Sequence, residues 1–192
     1  MLDTNIFRNI VEILLEWKKI RNVIEMGKTD ENLMSAFAGE SQANRKYLAF
    51  AKKAEKDGFP QIGRVFRAAA AAETVHAHAH LRVYGGIKTT EENVKAAIEG
   101  EHYEFTKMYP EFLEIAKKDG KKAAERSFDL ANQVEKVHHE LYSKALEAVQ
   151  GGNDLHENQF FVCQVCGYTV EGDIPDVCPI CGTKHENFFE VE

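Results

Sequence analysis

Proline occurs only 4 times in 192 residues, so little interrupts long regular elements. No run of about 18 apolar residues exists, which excludes a membrane-crossing helix. Basic residues are outnumbered, 24 Lys+Arg against 31 Asp+Glu, and the net charge of −7 speaks against a general nucleic-acid binder. No cysteine precedes residue 163. All 4 lie between Cys163 and Cys181 in two C-x-x-C pairs, a clustering that excludes a disulfide scaffold and points to a metal site in a reducing compartment. What is present, 44% hydrophobic and 29% charged residues, reads as a globular chain with one good-sized core, or a medium domain plus a small one.

The most apolar early stretch, Phe7 to Ile24, is interrupted by Arg8, Glu12, Glu16, Lys18, Lys19 and Arg21. No signal-peptide core survives and no A-x-A cleavage site follows, so a leader is not expected. Ile6, Ile10, Ile13, Trp17, Ile20 and Ile24 step by three or four, as in an amphipathic packing helix; mixed acids and bases argue against a membrane-surface helix. Residues 1–28 are therefore read as an N-terminal helical extension.

Glycines punctuate the rest. Asp57-Gly58, Gly85-Gly86, Asp119-Gly120 and Gly151-Gly152 read as helix ends, and Thr89-Thr90-Glu91-Glu92 has capping-box spacing. Four long helices follow, at about 30–57, 60–84, 90–118 and 120–150. With short links they predict a bundle, residues 29–152, made of two helical hairpins joined at the Gly-rich second link. An internal repeat supports the pairing. Gly58/Gly120, Glu73/Glu135 and His76/His138 are each separated by 62 positions (58 to 120, 73 to 135, 76 to 138). Glu40 and Glu101 are separated by 61, so one indel lies between.

Each helix has one apolar stripe, and each stripe has acid in its middle. The first runs through Phe37, Glu40, Asn44 and Tyr47, the second through Phe66, Glu73, His76 and His80. The third carries Glu101, Glu104 and Met108, the fourth Phe128, Glu135, His138 and Tyr142. Five glutamates and at least two histidines would converge among apolar walls. Unpaired buried carboxylates protonate rather than stay charged, and these faces offer few Lys or Arg. Two divalent ions supply the missing charge. Glu-x-x-His puts an oxygen and an imidazole on one helix face, and one Glu from each of two helices plus Glu-x-x-His from each of the other two is the di-metal pattern of ferritin-like bundles. Oxygen-rich ligation suits iron or manganese. A single Glu-x-x-His is weak evidence, and Glu99-x-x-His102 is a chance match without a partner at the repeat spacing. His78 lies off the stripe and reads as surface. His80 lies on it, as an outer partner or part of a rival His-x-x-x-His site. Tyr47 and Tyr109 read as core aromatics within reach of Glu40 and Glu101.

Residues 153–192 change character. Cys163-Gln-Val-Cys166-Gly and Cys178-Pro-Ile-Cys181-Gly form two knuckles, a tetrahedral four-thiolate site for zinc or iron. Phe160, Phe161, Tyr168, Phe188 and Phe189 are the expected small core around it. A structural zinc ribbon and a one-iron redox centre both fit the spacing.

From about Thr29 to its end the chain resembles the rubrerythrin family. The resemblance rests on Glu40-Ser-Gln-Ala, Gly100-Glu101-His-Tyr-Glu104, Met108-Tyr109-Pro110, both Glu-x-x-His motifs and the terminal knuckles. It implies an all-α fold, a ferritin-like four-helix bundle followed by a small rubredoxin-like domain. It implies Glu40, Glu73, Glu101, Glu104, Glu135 and His138 as di-iron ligands, with His76 alternating with Glu104 as oxidation state changes. Tyr47 and Tyr109 match the aromatics beside the cluster, and Cys163, Cys166, Cys178 and Cys181 the rubredoxin ligands. The implied cofactors are two carboxylate-bridged Fe and one four-cysteine, rubredoxin-type Fe per chain. The implied activity is a cytoplasmic peroxidase that reduces hydrogen peroxide to water and protects against oxidative stress. Its electrons would come from an external donor, such as rubredoxin or an NAD(P)H-dependent reductase, because this chain has no Gly-rich dinucleotide fingerprint. The competing readings are a ferritin-type iron-oxidising protein and a zinc-bound scaffold.

The resemblance also implies a homodimer. The link from Gly151 to Gln159 spans at most roughly 30 Å, and Glu135 and His138 lie roughly 20–24 Å back along the fourth helix. The expectation is a cysteine domain held toward the far end of its own bundle and near the di-iron site of a second chain.

Overall fold

The structure, a computed structural model, describes residues 27–191. The N-terminal amphipathic helix expected from Ile6 to Ile24 lies outside them. The described chain is mainly helical: α1 (Lys28–Lys56), α2 (Pro60–Tyr84), α3 (Thr90–Tyr103), α4 (Tyr109–Lys118) and α5 (Lys122–Gln150). A small sheet follows, β1 (Phe160–Cys163), β2 (Thr169–Glu171) and β3 (Phe188–Glu190). No described helix is long and apolar enough to cross a membrane.

Local chemistry sets the helix ends. Asp30 and Glu31 lie in the first turn of α1 and Lys53 and Lys56 in its last, each complementing the helix dipole. Pro60 opens α2, where a missing N–H costs nothing. Thr89 caps α3 with its side-chain oxygen, and Glu92 reaches back to the Thr89 N–H, closing the capping box. Gly85 ends α2 in the left-handed conformation, φ 78°.

The chain divides into two compact units between Ile87 and Lys88, in the Gly-rich link where the sequence places the junction. The first unit is the hairpin α1–α2. Small residues Ala51, Gly63, Ala70 and Ala77 are its buried contacts, so the two helices approach closely. A Cβ on Gly63 would lie 2.9 Å from Glu55 Cγ and 3.2 Å from the Ala51 carbonyl oxygen, which explains glycine near the start of α2. Asn44 Nδ2 donates to the Ala70 carbonyl (2.7 Å) and to Thr74 Oγ1 (2.8 Å), tying α1 to α2.

The second unit pairs α3 and α4 with α5. Its aromatics reproduce those of the first. Tyr47, Phe50 and Phe66 cluster with ring centroids 5.6–6.4 Å apart. Tyr109, Phe112 and Phe128, each 62 positions on (47 to 109, 50 to 112, 66 to 128), cluster at 5.5–6.3 Å. The third helix is not the uniform α-helix expected over 90–118. A π-helical segment, Glu104–Met108, interrupts it.

The sheet has order β2-β1-β3, both pairings antiparallel. Cys163, Cys178 and Phe188 are its buried core, with Phe161, Tyr168, Val170, Ile174 and Ile180 packed around them. Two expected core residues fall elsewhere. Phe189 follows Phe188 in β3, so strand alternation turns it outward, and it is exposed. Phe160, opposite in parity to Phe161, lines a cavity against α5 instead.

Candidate metal centre

Each hairpin holds one triad of potential ligands. In the first, Glu40 from α1 meets Glu73 and His76 from α2, with ligand atoms within 4.8 Å of one another. His76 Nδ1 lies 3.0 Å from Glu73 Oε2 and 3.8 Å from Glu40 Oε1. In the second, Glu101 from α3 meets Glu135 and His138 from α5 within the same limit. His138 Nδ1 lies 2.8 Å from Glu135 Oε2 and 3.9 Å from Glu101 Oε1. The duplicated motifs have become duplicated geometry, two carboxylates and one imidazole in each case. Glu99 is exposed and stays out of both triads, while His102 packs edge-to-face with Phe105 and tilted against His139. His80 is half-buried, His78 exposed, and neither joins a triad.

The π segment locates the indel in the repeat. Glu101 precedes it at an offset of 61 from Glu40, and Tyr109 follows it at 62 from Tyr47. The widened turn therefore houses the extra residue, as single-turn π-bulges do, often at functional sites. Glu104 opens that turn, and the positions in the first hairpin 61 and 62 before it, Ala43 and Gln42, are not acidic. The second hairpin thus carries an additional carboxylate. Glu104 lies outside the tight triad, but it is near enough for the Glu135 charge to act on it.

The electrostatics of the second triad are those of a site short of positive charge. Burial, a hydrogen bond with Glu135 and the charge of Glu135 raise Glu101 to about 7. Burial, then the Glu135 charge, raises Glu104 above the usual carboxylate range. Burial opposes the ionisation of Glu135 too, but its hydrogen bonds with His138 and Glu101 outweigh this and hold it low. The hydrogen bond to Glu135 raises His138. Burial, followed by the charges of Glu135, Glu104 and Glu101, raises Tyr109, which places its hydroxyl in the field of all three acids. Tyr47 packs with Phe50 and Phe66 in the first hairpin.

These shifts fix the sign of a pH dependence. Glu101 binds its proton more tightly in the folded, metal-free protein than in the unfolded chain. The stability this gives is complete below about pH 4.5 and lost as pH rises through about 7. Glu104 and His138, also raised, act in the same sense; Glu135, held low, contributes above its unfolded value and loses that contribution as pH falls. The melting temperature of metal-free protein is expected to fall from about pH 5 to about pH 8, and iron(II) to remove that fall by taking the place of the proton. Thermal scans at several pH values check this, and a flat metal-free profile contradicts it.

The four cysteines converge as expected. Their Sγ atoms lie within 4.8 Å of one another, Cys163 to Cys181 at 3.7 Å and Cys166 to Cys178 at 3.6 Å. Sulfurs about 2.3 Å from a tetrahedral ion would be about 3.8 Å apart, so the cage already has the right size. Burial and the neighbouring thiols push Cys166 up. Burial of Cys178 is outweighed by backbone donors at Cys181 and Ile180, which hold it low. A thiolate among thiols, with backbone N–H donors beside Cys166, Cys178 and Cys181, is the donor chemistry of a four-cysteine metal site.

The placement of this module differs from the expectation. It does not sit at the far end of its own helix pair. It folds back onto α5, where His138 Nε2 lies 3.1 Å from Thr169 Oγ1 and Gly167 approaches Val134. The linker reach of roughly 30 Å is enough to reverse the chain over the 20–24 Å back to His138. Thr169 is a residue that sequence reasoning missed, since nothing local to β2 marks it.

A helical scaffold with paired Glu/Glu-x-x-His triads and a C-terminal four-cysteine knuckle defines a ferritin-like di-iron protein with a rubredoxin-type iron module; the donor sets for both cofactors are present. Residues 31–146 match the Rubrerythrin family and residues 161–189 its rubredoxin-like domain. The chain belongs to the rubrerythrin family. It is 34% identical over 179 residues to Rubrerythrin-2 of Clostridium acetobutylicum, covering 86% of this chain and 97% of that protein. It is 34% identical over 177 residues to nigerythrin of Nitratidesulfovibrio vulgaris, covering 85% and 86%. Among solved structures, the partially reduced state of nigerythrin matches with a TM-score of 0.52 and 33% identity, over 86% of this chain and 87% of that one.

Proposed function

We propose that this chain is a non-haem di-iron peroxidase of the cytoplasm that reduces hydrogen peroxide to water in defence against oxidative stress. Glu40, Glu73, His76, Glu101, Glu104, Glu135 and His138 hold the iron pair, and Cys163, Cys166, Cys178 and Cys181 the single iron. The observation that carries the reading is the four-cysteine module joined by a hydrogen bond to a ligand of the second triad. A ferritin-type store needs no such electron relay, and a zinc scaffold needs no additional carboxylate on a π turn.

When bound, the iron pair supplies two electrons for cleavage of the peroxide O–O bond, and two protons complete the two waters. The chain's own groups set the conditions. Glu104, held above the usual carboxylate range, keeps a proton close to the site and balances charge when ionised. Tyr109 places a protonated hydroxyl in the same field. His76 is more open to solvent than His138, 55% against 28% side-chain exposure, which leaves it free to move as the alternating ligand. His138, anchored on Thr169, stays in place. The external donor is rubredoxin or an NAD(P)H-dependent reductase, and the working unit is a homodimer.

Metal analysis with an absorption spectrum of protein purified without oxygen tests the reading. The expected result is about three iron per chain, one with thiolate charge-transfer bands. Stoichiometric zinc at both sites would return the chain to the scaffold class.

A further inference from the structure

Thr169 joins the cysteine module to the second triad by a hydrogen bond, and its second partner points to one direction for it. Its hydroxyl has one proton, and Thr169 Oγ1 donates it to the Gly167 carbonyl at 3.1 Å. With its proton so placed, the same oxygen accepts from His138 Nε2, at 3.1 Å. In this arrangement the ring carries hydrogen on Nε2, and Nδ1 is the nitrogen turned to Glu135 and Glu101; the Gly167 carbonyl is a further acceptor for the His138 ring. Strand parity sets this up. Val170 enters the knuckle core, so its neighbours Thr169 and Glu171 face α5. There they share the wall of a cavity of about 370 Å³ with His138, Tyr142, Leu155 and Phe160. Across this gap the Thr169–His138 bond is the one hydrogen bond between α5 and the sheet among the described residues. The first triad has no counterpart: among the described residues His76 Nε2 has no hydrogen-bond partner.

We propose that Thr169 is a positioning residue: docking of the cysteine module holds a hydrogen on His138 Nε2, so that Nδ1, whose proton Glu135 accepts in the metal-free protein, is the nitrogen given up to metal. The inference rests on the di-metal reading of the triads. It makes the second triad dependent on a residue of the other domain, so that metal capture at His138 is complete only with the knuckle folded and docked. Nothing in the Glu-x-x-His motif itself supplies that control, because an unanchored imidazole can turn either nitrogen to the ion.

The test uses the full chain, with the knuckle loaded, as wild type, Thr169→Val and Thr169→Ser. Cobalt(II) is titrated against a competing chelator; thiolate-bound cobalt has its own charge-transfer bands, so the helical site is read separately. Nitrogen NMR of the histidine rings in protein lacking metal at the helical site reports whether Nε2 of His138 carries hydrogen. Thr169→Val is expected to weaken cobalt binding at the helical site by about 10- to 100-fold and to weaken the Nε2–H signature of His138, with helix content and thiolate bands unchanged. Thr169→Ser, which keeps the hydroxyl, is expected to restore both. Wild-type affinity in Thr169→Val overturns the proposal. So does a serine variant as weak as the valine, since that marks a packing role. Wild-type protein that takes cobalt only at its thiolates overturns the di-metal reading itself.

Discussion

Glu135→Ala is expected to empty the second triad of metal and to lower donor-driven peroxide turnover at least a hundredfold. Glu135 is the residue to which the others of the triad answer. It accepts from His138, shares a hydrogen bond with Glu101, and its charge raises Glu104 and Tyr109. Without it Glu101 loses the neighbour that holds its proton, and His138 loses its carboxylate partner. Two donors remain where the triad had three, and loss of even an outer partner of a metal ligand costs about 10- to 100-fold. Folding is not at stake, since alanine is the better helix former and the site lies mid-helix in α5. Glu99→Ala is the matched control. It removes the glutamate of an identical motif on an exposed face and is expected to change neither bound iron nor turnover. Metal content and steady-state rates of the two variants, measured together, check the claim; equal behaviour would contradict it.

Cys166→Ser is expected to divide the reaction in two. Turnover driven by an external donor should be abolished, while a single oxidation of chemically reduced protein by peroxide stays nearly intact. Cys166 directly precedes Gly167, whose carbonyl accepts the proton of the Thr169 hydroxyl that bonds His138. It is thus the thiol nearest in sequence to the contact with the second triad, and it is a member of the four-sulfur cage. Serine keeps the volume but not the soft donor that a rubredoxin-type iron requires. Stopped-flow oxidation of reduced protein, beside a donor-coupled assay, separates the two halves. Unchanged donor-driven turnover would remove the relay role.

Much of this was legible from residues alone because it depends on local chemistry. Gly58, Gly85 and Gly120, the Thr89/Glu92 box and Pro60 mark helix ends that the structure places within a few residues. The triads were legible because acid in the middle of an apolar stripe has few structural explanations, and because Glu73/His76 and Glu135/His138 recur at one offset. The π turn left only a trace, the offset of 61 rather than 62 at Glu101. A one-residue insertion does not say whether it bulges a helix or lengthens a loop. Phe189 was misplaced although strand parity with Phe188 could have turned it outward. The docking of the cysteine module was not legible at all. It depends on Thr169 meeting His138 across 31 positions of sequence, and a threonine in a short strand carries no mark of such a partner.

The central claim is that the reduced chain transfers two electrons to peroxide. The direct measurement is an anaerobic titration of fully reduced, iron-loaded protein with hydrogen peroxide, followed by absorption and by an oxygen electrode. The account predicts that about one peroxide per chain oxidises the iron pair without release of oxygen, and that the thiolate-bound iron is oxidised only with further peroxide. Evolution of oxygen, or peroxide left unconsumed by protein carrying its full iron, would contradict it.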